Sequence, residues 1–296
     1  MKKSISFFGM LLFCSTQFLF AQSGALDLTF NTTGKIQEDF NGGFDQGNAL
    51  AVQSDGKTIA VGSSYDGSFT NFALARYLSN GTLDNSFGSF GKEISTISNY
   101  ANGATDVAIQ PDGKLVVVGY AGTVGGTNNF VVARYLTNGV LDYSFGTNGV
   151  VSTDLNTYND VARSVAIQPD GKILVGGYTQ IVANGALNFG IVRYTATGSL
   201  DATFGSGGKK TINYVGQGDF LKRLLLLPNG NFLAAGYFTS SGIKHIGIIG
   251  FYSNGTPNIN FGMNGKLDLD FRALYNSEAS DIALQSNGKV IVVGAV

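Results

Sequence analysis

The stretch Ser164-Val165-Ala166-Ile167-Gln168-Pro169-Asp170-Gly171-Lys172-Ile173-Leu174-Val175-Gly176-Gly177 decides the fold. Its Asp-Gly pair supplies the left-handed backbone positions that a tight hairpin demands. Before the turn, Val165 and Ile167 alternate with the small Ala166, so both faces of that run are apolar. After it, Ile173-Leu174-Val175 is apolar throughout. A hairpin with no polar face must be covered on both sides.

The same turn recurs along the chain as Ser54-Asp55-Gly56-Lys57, Pro111-Asp112-Gly113-Lys114, Pro228-Asn229-Gly230-Asn231 and Ser286-Asn287-Gly288-Lys289, at spacings of 57, 58, 59 and 58. A second marker keeps step with it: Phe30, Phe87, Phe145, Phe204 and Phe261, mostly within Leu-Asp-x-[Ser/Thr]-Phe-Gly. Two markers in phase establish an internal repeat, which governs every further reading of the chain. The large residues before each turn (Leu50 and Val52, Val107 and Ile109, Leu224 and Leu226, Ile282 and Leu284) again flank a residue that is usually alanine. Stacked sheets, in which large side chains meet small ones, satisfy that pattern.

Each copy reads as four short strands. In the third copy these are 149–153, 164–168, 173–177 and 188–194. No stretch carries a helical period over 10 to 12 residues, which argues against α/β units and helical solenoids. A row of separate sandwiches would need a closed core inside each unit of about 58 residues, which is marginal without disulfides or metal. The expected fold is all-β: a β-propeller of four-stranded antiparallel blades, five in number with the last incomplete. Repeats are placed at 34–90, 91–148, 149–207, 208–264 and, in part, 265–296, within a domain spanning 22–296. That reading gives nineteen strands where five full blades need twenty, and it implies either truncation or an apolar edge open to self-association.

Lys2 and Lys3, the apolar run from Ile5 to Phe20 and Ala21 before Gln22 read as a signal peptide over 1–21. Phe13 is too bulky for a lipoprotein signal ending at Cys14. Cys14 is the single cysteine, so cleavage leaves a chain without disulfides. It also takes the formal net charge from −1 to −3, which does not suit a nucleic-acid partner. The expected location is secreted, extracellular or cell-surface, with the periplasm as alternative, and an integral membrane protein is not expected after cleavage.

Taken together, Leu-Asp-x-[Ser/Thr]-Phe-Gly, Ala-Ile-Gln-Pro-Asp-Gly-Lys and Ala-Arg-Tyr resemble the Delta-60 repeat family, from about Leu26 to Val296. The resemblance implies a secreted bacterial propeller of uncharacterised function and supplies no catalytic residues.

Chemistry is sparse in the residues themselves. His245 is the one histidine and reads as an exposed loop residue, with neither a zinc-ligand spacing nor a nucleophile elbow beside it. Most acidic residues recur with the repeat, as Asp55, Asp112 and Asp170 in the turn and Asp45, Asp160 and Asp219 ten positions before it, which points to backbone hydrogen bonding. Glu38, Asp39, Glu93 and Glu278 do not recur, and nothing in the sequence places them opposite one another. Arg76, Arg134 and Arg193 are expected to pair with Asp84, Asp142 and Asp201; copy four is expected to carry Phe251 in the arginine position. No catalytic, metal or cofactor site is identified. The loops 63–71, 120–129, 178–188 and 237–245 vary most and suit recognition of a carbohydrate or a protein. The reading is a binding or scaffolding module rather than an enzyme, with a carboxylate-dependent glycoside hydrolase or lyase, or a purely structural surface protein, as alternatives.

Overall fold

The computed structural model describes residues 25–183, 185–214, 218–270 and 275–296. The segment 1–21 and Cys14 lie outside them. Blade one comprises β1 (Asp45–Val52), β2 (Thr58–Tyr65), β3 (Thr70–Tyr77) and β4 (Lys92–Ser95). Blade two comprises β5 (Asn102–Ile109), β6 (Leu115–Gly122), β7 (Asn128–Tyr135) and β8 (Val150–Thr153). Blade three follows with β9 (Asp160–Ile167), β10 (Ile173–Gln180), β11 (Leu187–Tyr194) and β12 (Lys209–Ile212). Blade four has β13 (Asp219–Leu226), β14 (Phe232–Ser240), β15 (Ile243–Phe251) and β16 (Lys266–Leu269), and blade five has β17 (Glu278–Leu284) and β18 (Val290–Ala295). Every blade is antiparallel with its strands in sequence order.

The turn glycines Gly56, Gly113, Gly171, Gly230 and Gly288 hold φ between +79° and +83°, the conformation for which glycine is needed. Blades and sequence repeats are out of phase. The strand that opens each repeat, such as 149–153, pairs with the outer edge of the preceding blade. The first repeat, placed at 34–90, has no strand before β1, so eighteen strands are present among the described residues rather than the nineteen expected.

Hydrophobic cores lie between blades, not within them. One cluster joins Phe72, Leu74 and Phe87 to Val107, Val117 and Tyr135, a second joins Val118, Phe130 and Phe145 to Val165 and Tyr194, and two more join blade three to four and four to five. Each large side chain so buried contributes about 1.5–3 kcal/mol, gained only when the next blade is in place. The outermost faces show the converse. Val107, Val165 and Leu224 are at most 8% exposed, whereas the equivalent Leu50 is 69% exposed. On blade five Ile291 and Val293 are 44% and 55% exposed, although their counterparts Val116 and Val118 are fully buried. Blades one and five therefore leave an apolar face open and do not cover each other. No helix among the described residues is long and apolar enough to cross a membrane.

Candidate functional site

The first strand of each blade carries a bulge six to eight residues before its turn, skipping Asn48, Thr105, Arg163, Lys222 and Ser280. A bulge re-aims the side chains beside it. Here these strands lie innermost, and the re-aimed residues link blade to blade around the axis. Thr105 donates to the carbonyl of Ala162 at 2.8 Å, and Asn48 to that of Ala104 at 2.8 Å. One residue further on, Asp106 accepts from the Val165 amide at 2.9 Å and Ser164 from the Leu224 amide at 3.1 Å.

At that position blade four carries Arg223 and blade five Asp281. The Arg223 guanidinium lies 3.0 Å from Asp106 and 3.0 Å from Asp281, so it reaches blade two past the intervening blade three. Asp106 is buried, and burial raises its carboxyl against the opposing pull of the Arg223 charge and the Val165 amide. The Asp281 side chain is 54% exposed. This arrangement brings two carboxylates from different blades to one cation at the centre of the arc. It was not anticipated from the sequence.

The residues that sequence reading did single out are dispersed. Glu38 pairs with Lys92 at 2.7 Å, Lys92 also donates to the Asp39 carbonyl, Glu93 accepts from Ser95 at 3.1 Å, and Glu278 pairs with Lys244 at 3.2 Å. His245 belongs to β15 rather than to an exposed loop and stacks on Phe238 with ring centroids 5.2 Å apart. Among the described residues no group of three or more His, Cys, Asp or Glu could hold a metal ion. The loop tips between second and third strands lie on the same rim as the blade-to-blade connections. The Asn128 amide donates to Asn159 and the Lys244 amide to Asn276, each across to the next connection.

The opposite rim carries the expected arginine pairs. Arg76, Arg134 and Arg193 donate from Nε to Asp84, Asp142 and Asp201 at 2.9, 2.9 and 2.8 Å and lie over Phe87, Phe145 and Phe204. Each then donates to a carbonyl of the next blade, at Thr137, Ala196 and Ser253. Burial would raise Asp201, but hydrogen bonds from Thr203 and Lys172 and the Arg193 charge hold it down at about 2. Blade four corrects the sequence alignment by one residue. Phe251 pairs with Phe232 as Tyr194 pairs with Ile173, so Phe251 stands in the tyrosine position and Gly250 in that of the arginine. The Phe261 ring fills the vacated space, where a Cβ on Gly250 would meet it at 2.7 Å. Asn258 replaces the aspartate and Asn231 the lysine, so all three charges are absent together.

Segments 53–87, 110–145 and 168–204 match the family described as "Domain of unknown function (DUF5122) beta-propeller". They are copies of a β-propeller domain of uncharacterised function. No curated protein matches the chain. Similar solved structures include the PQQ-bound aldose sugar dehydrogenase of Streptomyces coelicolor, at 13% identity over 88% of this chain and 84% of that one, with a TM-score of 0.46. Others are a catalytically inactive virginiamycin B lyase from Staphylococcus aureus with quinupristin (12% identity, 86% and 72% covered, TM-score 0.42) and a GH43_1 enzyme from Xanthomonas citri with xylotriose (10%, 74% and 73%, 0.39). At these identities the likeness is one of fold. These similar chains are enzymes, against the expectation of a binding or scaffolding module rather than an enzyme; the activity is said of those proteins and not of this chain.

Proposed function

We propose that the chain is a glycan-cleaving enzyme working by carboxylate acid–base catalysis, with Asp106 and Asp281 as the reacting pair and Arg223 positioning both. The observation supporting this is their unequal environments around one guanidinium: Asp106 buried and raised, Asp281 open to solvent. A buried carboxyl whose surroundings raise it is suited to hold a proton for donation, and a solvent-open carboxylate beside it to accept one. In hydrolysis Asp106 gives its proton to the glycosidic oxygen as the bond to the anomeric carbon breaks. Asp281 takes a proton from the water whose oxygen bonds to that carbon, and proton exchange with solvent restores both groups. Export directed by 1–21 and repeats of the Delta-60 type complete the proposal, supported by the charged and apolar start of the chain and by the three recurring motifs.

The test is incubation of the chain from Gln22 onward with a panel of neutral and acidic polysaccharides, scoring new reducing ends. Cleavage of at least one glycan, lost in Asp106→Asn and Asp281→Asn variants of unchanged circular dichroism, is expected. Absence of cleavage across the panel, or full activity in both variants, overturns the proposal.

A further inference from the structure

The second strand of blade three and the first two strands of blade four carry a ladder of three aromatic rings. Tyr178 and Phe220 have centroids 4.2 Å apart, and Phe220 and Tyr237 are stacked at 5.4 Å with an interplanar angle of 5°. Three cations lie against it. Arg163 is 5.4 Å from the Phe220 centroid and 5.7 Å from that of Tyr178, Lys222 is 4.9 Å from Phe220, and Lys244 is 4.3 Å from Tyr237. All six side chains belong to half-buried residues, neither sealed in a core nor loose on the surface.

Their charges are not equally compensated. Lys244 is paired with Glu278, and Arg223 with Asp106 and Asp281. Neither Arg163 nor Lys222 has a carboxylate within ion-pair distance among the described residues, and Arg163 Nε is buried without a hydrogen-bond partner. A buried guanidinium N–H left unmade is costly and gains most from an anionic acceptor. The two cations occupy bulge positions, filled in blades one, two and five by Asn48, Thr105 and Ser280. In the first two of these blades the residue clamps the neighbouring backbone. Arg163 and Lys222 depart from that role and converge instead on one ring, that of Phe220. Each is also the immediate chain neighbour of an axial residue, Ser164 or Arg223.

We infer that this ladder is the substrate-selecting subsite of the same centre, and that it takes acidic glycans, with uronate carboxylates seated on Arg163 and Lys222. The inference rests on the glycan-cleaving reading. Because cations cover the ring faces, a ligand meets fixed charge before it meets apolar surface, which favours a carboxylate-bearing sugar over a neutral one. Arg163 and Lys222 are positioned to bind, and take no part in bond breaking.

The experiment is binding calorimetry at low and high salt with hexagalacturonate and with xylohexaose, using the wild type and the Arg163→Gln and Lys222→Gln variants. The Asp281→Asn chain runs in parallel so that nothing is consumed. Hexagalacturonate is expected to bind at least about tenfold more tightly than xylohexaose at low salt, with the preference shrinking as salt rises. Each Gln variant should lose about fivefold or more for the acidic ligand and nothing for the neutral one. Equal affinity for the two hexasaccharides, or unchanged affinity in both Gln variants, overturns the inference. Uronate preference without cleavage would keep this subsite and remove the acid–base proposal. Cleavage of neutral glycans without that preference would do the reverse.

Discussion

Arg223 on the fourth blade and Asp106 on the second are joined at 3.0 Å across the arc, past the whole of blade three. Among the described residues the other hydrogen bonds and ion pairs between blades join a blade to its neighbour; this one ties blades that share no core. Its removal should therefore be felt in packing as well as in chemistry. Arg223→Met leaves the buried Asp106 carboxyl without its cation and is expected to cost about 3 kcal/mol, measured by chemical denaturation. Asp281→Asn, at an exposed position, should stay within about 0.5 kcal/mol of wild type. Equal effects would show that the two carboxylates do not differ as described.

The arginine latches on the other rim give a second prediction. Arg134→Ala strips the buried Asp142 of its cation and the Ala196 carbonyl of a donor, and should cost about 3 kcal/mol. Lys114, 29% exposed and paired with the same Asp142, should cost less than about 1 kcal/mol as Lys114→Ala. Because the Asp201 carboxyl is depressed to about 2, the stability this type of latch supplies is present above the unfolded carboxylate range near 4 and is lost as pH falls through about 2. Acid unfolding of Arg193→Ala should lose that component of its pH dependence.

Asp160 carries the opposite sign. Desolvation pushes it up to about 6, despite hydrogen bonds from Thr179 and the Leu155 amide. A raised carboxyl contributes stability below its unfolded value, and that contribution is lost as pH rises through about 6. Blade two has Asn102 in this place, its Oδ1 facing the Ile97 amide at 3.4 Å. Asp160→Asn should therefore be more stable than wild type at pH 8, by about 1–3 kcal/mol, with the gap closing by pH 4. Thermal melts at the two pH values check it.

Blade stacking predicts a gradient along the chain. Val165→Ala opens space in a core between blades two and three and should cost about 1–3 kcal/mol. Leu50→Ala, at the equivalent site on the open face of blade one, removes more carbon yet should change stability by less than about 0.5 kcal/mol. A large loss at Leu50 would mean that the face is covered in solution.

Hairpins, the blade motif and the arginine pairs were legible because the same backbone chemistry returns in every copy. The phase of the blades was not. A periodic sequence has no intrinsic first strand, and only the hydrogen bonding of 150–153 to β7 assigns that strand to the earlier blade. Blade four was misaligned because Phe251-Tyr252 imitates the Arg-Tyr step, while Gly250 carries no side chain to mark the arginine position. The central site escaped for a different reason. Recurrence correctly marks Asp55, Asp84 and Asp160 as scaffold, but a search for recurring acids passes over Asp106 and Asp281, whose counterparts are Ala49, Ser164 and Arg223. One step of the inner strand that is Asp, Arg and Asp in copies two, four and five but Ala49 and Ser164 in the others was the signal available. In a repeat protein the shared residues build the frame, and the exceptions at a shared position are where a site can differ from it.

The central claim is tested most directly by kcat/KM of wild type, Asp106→Asn and Asp281→Asn on the best glycan substrate, across pH. The account predicts cleavage by the wild type that falls about 10²–10⁴-fold in each variant, with the alkaline limb of the pH profile lost in Asp106→Asn. Retention of wild-type rates and an unchanged profile in both variants would contradict it.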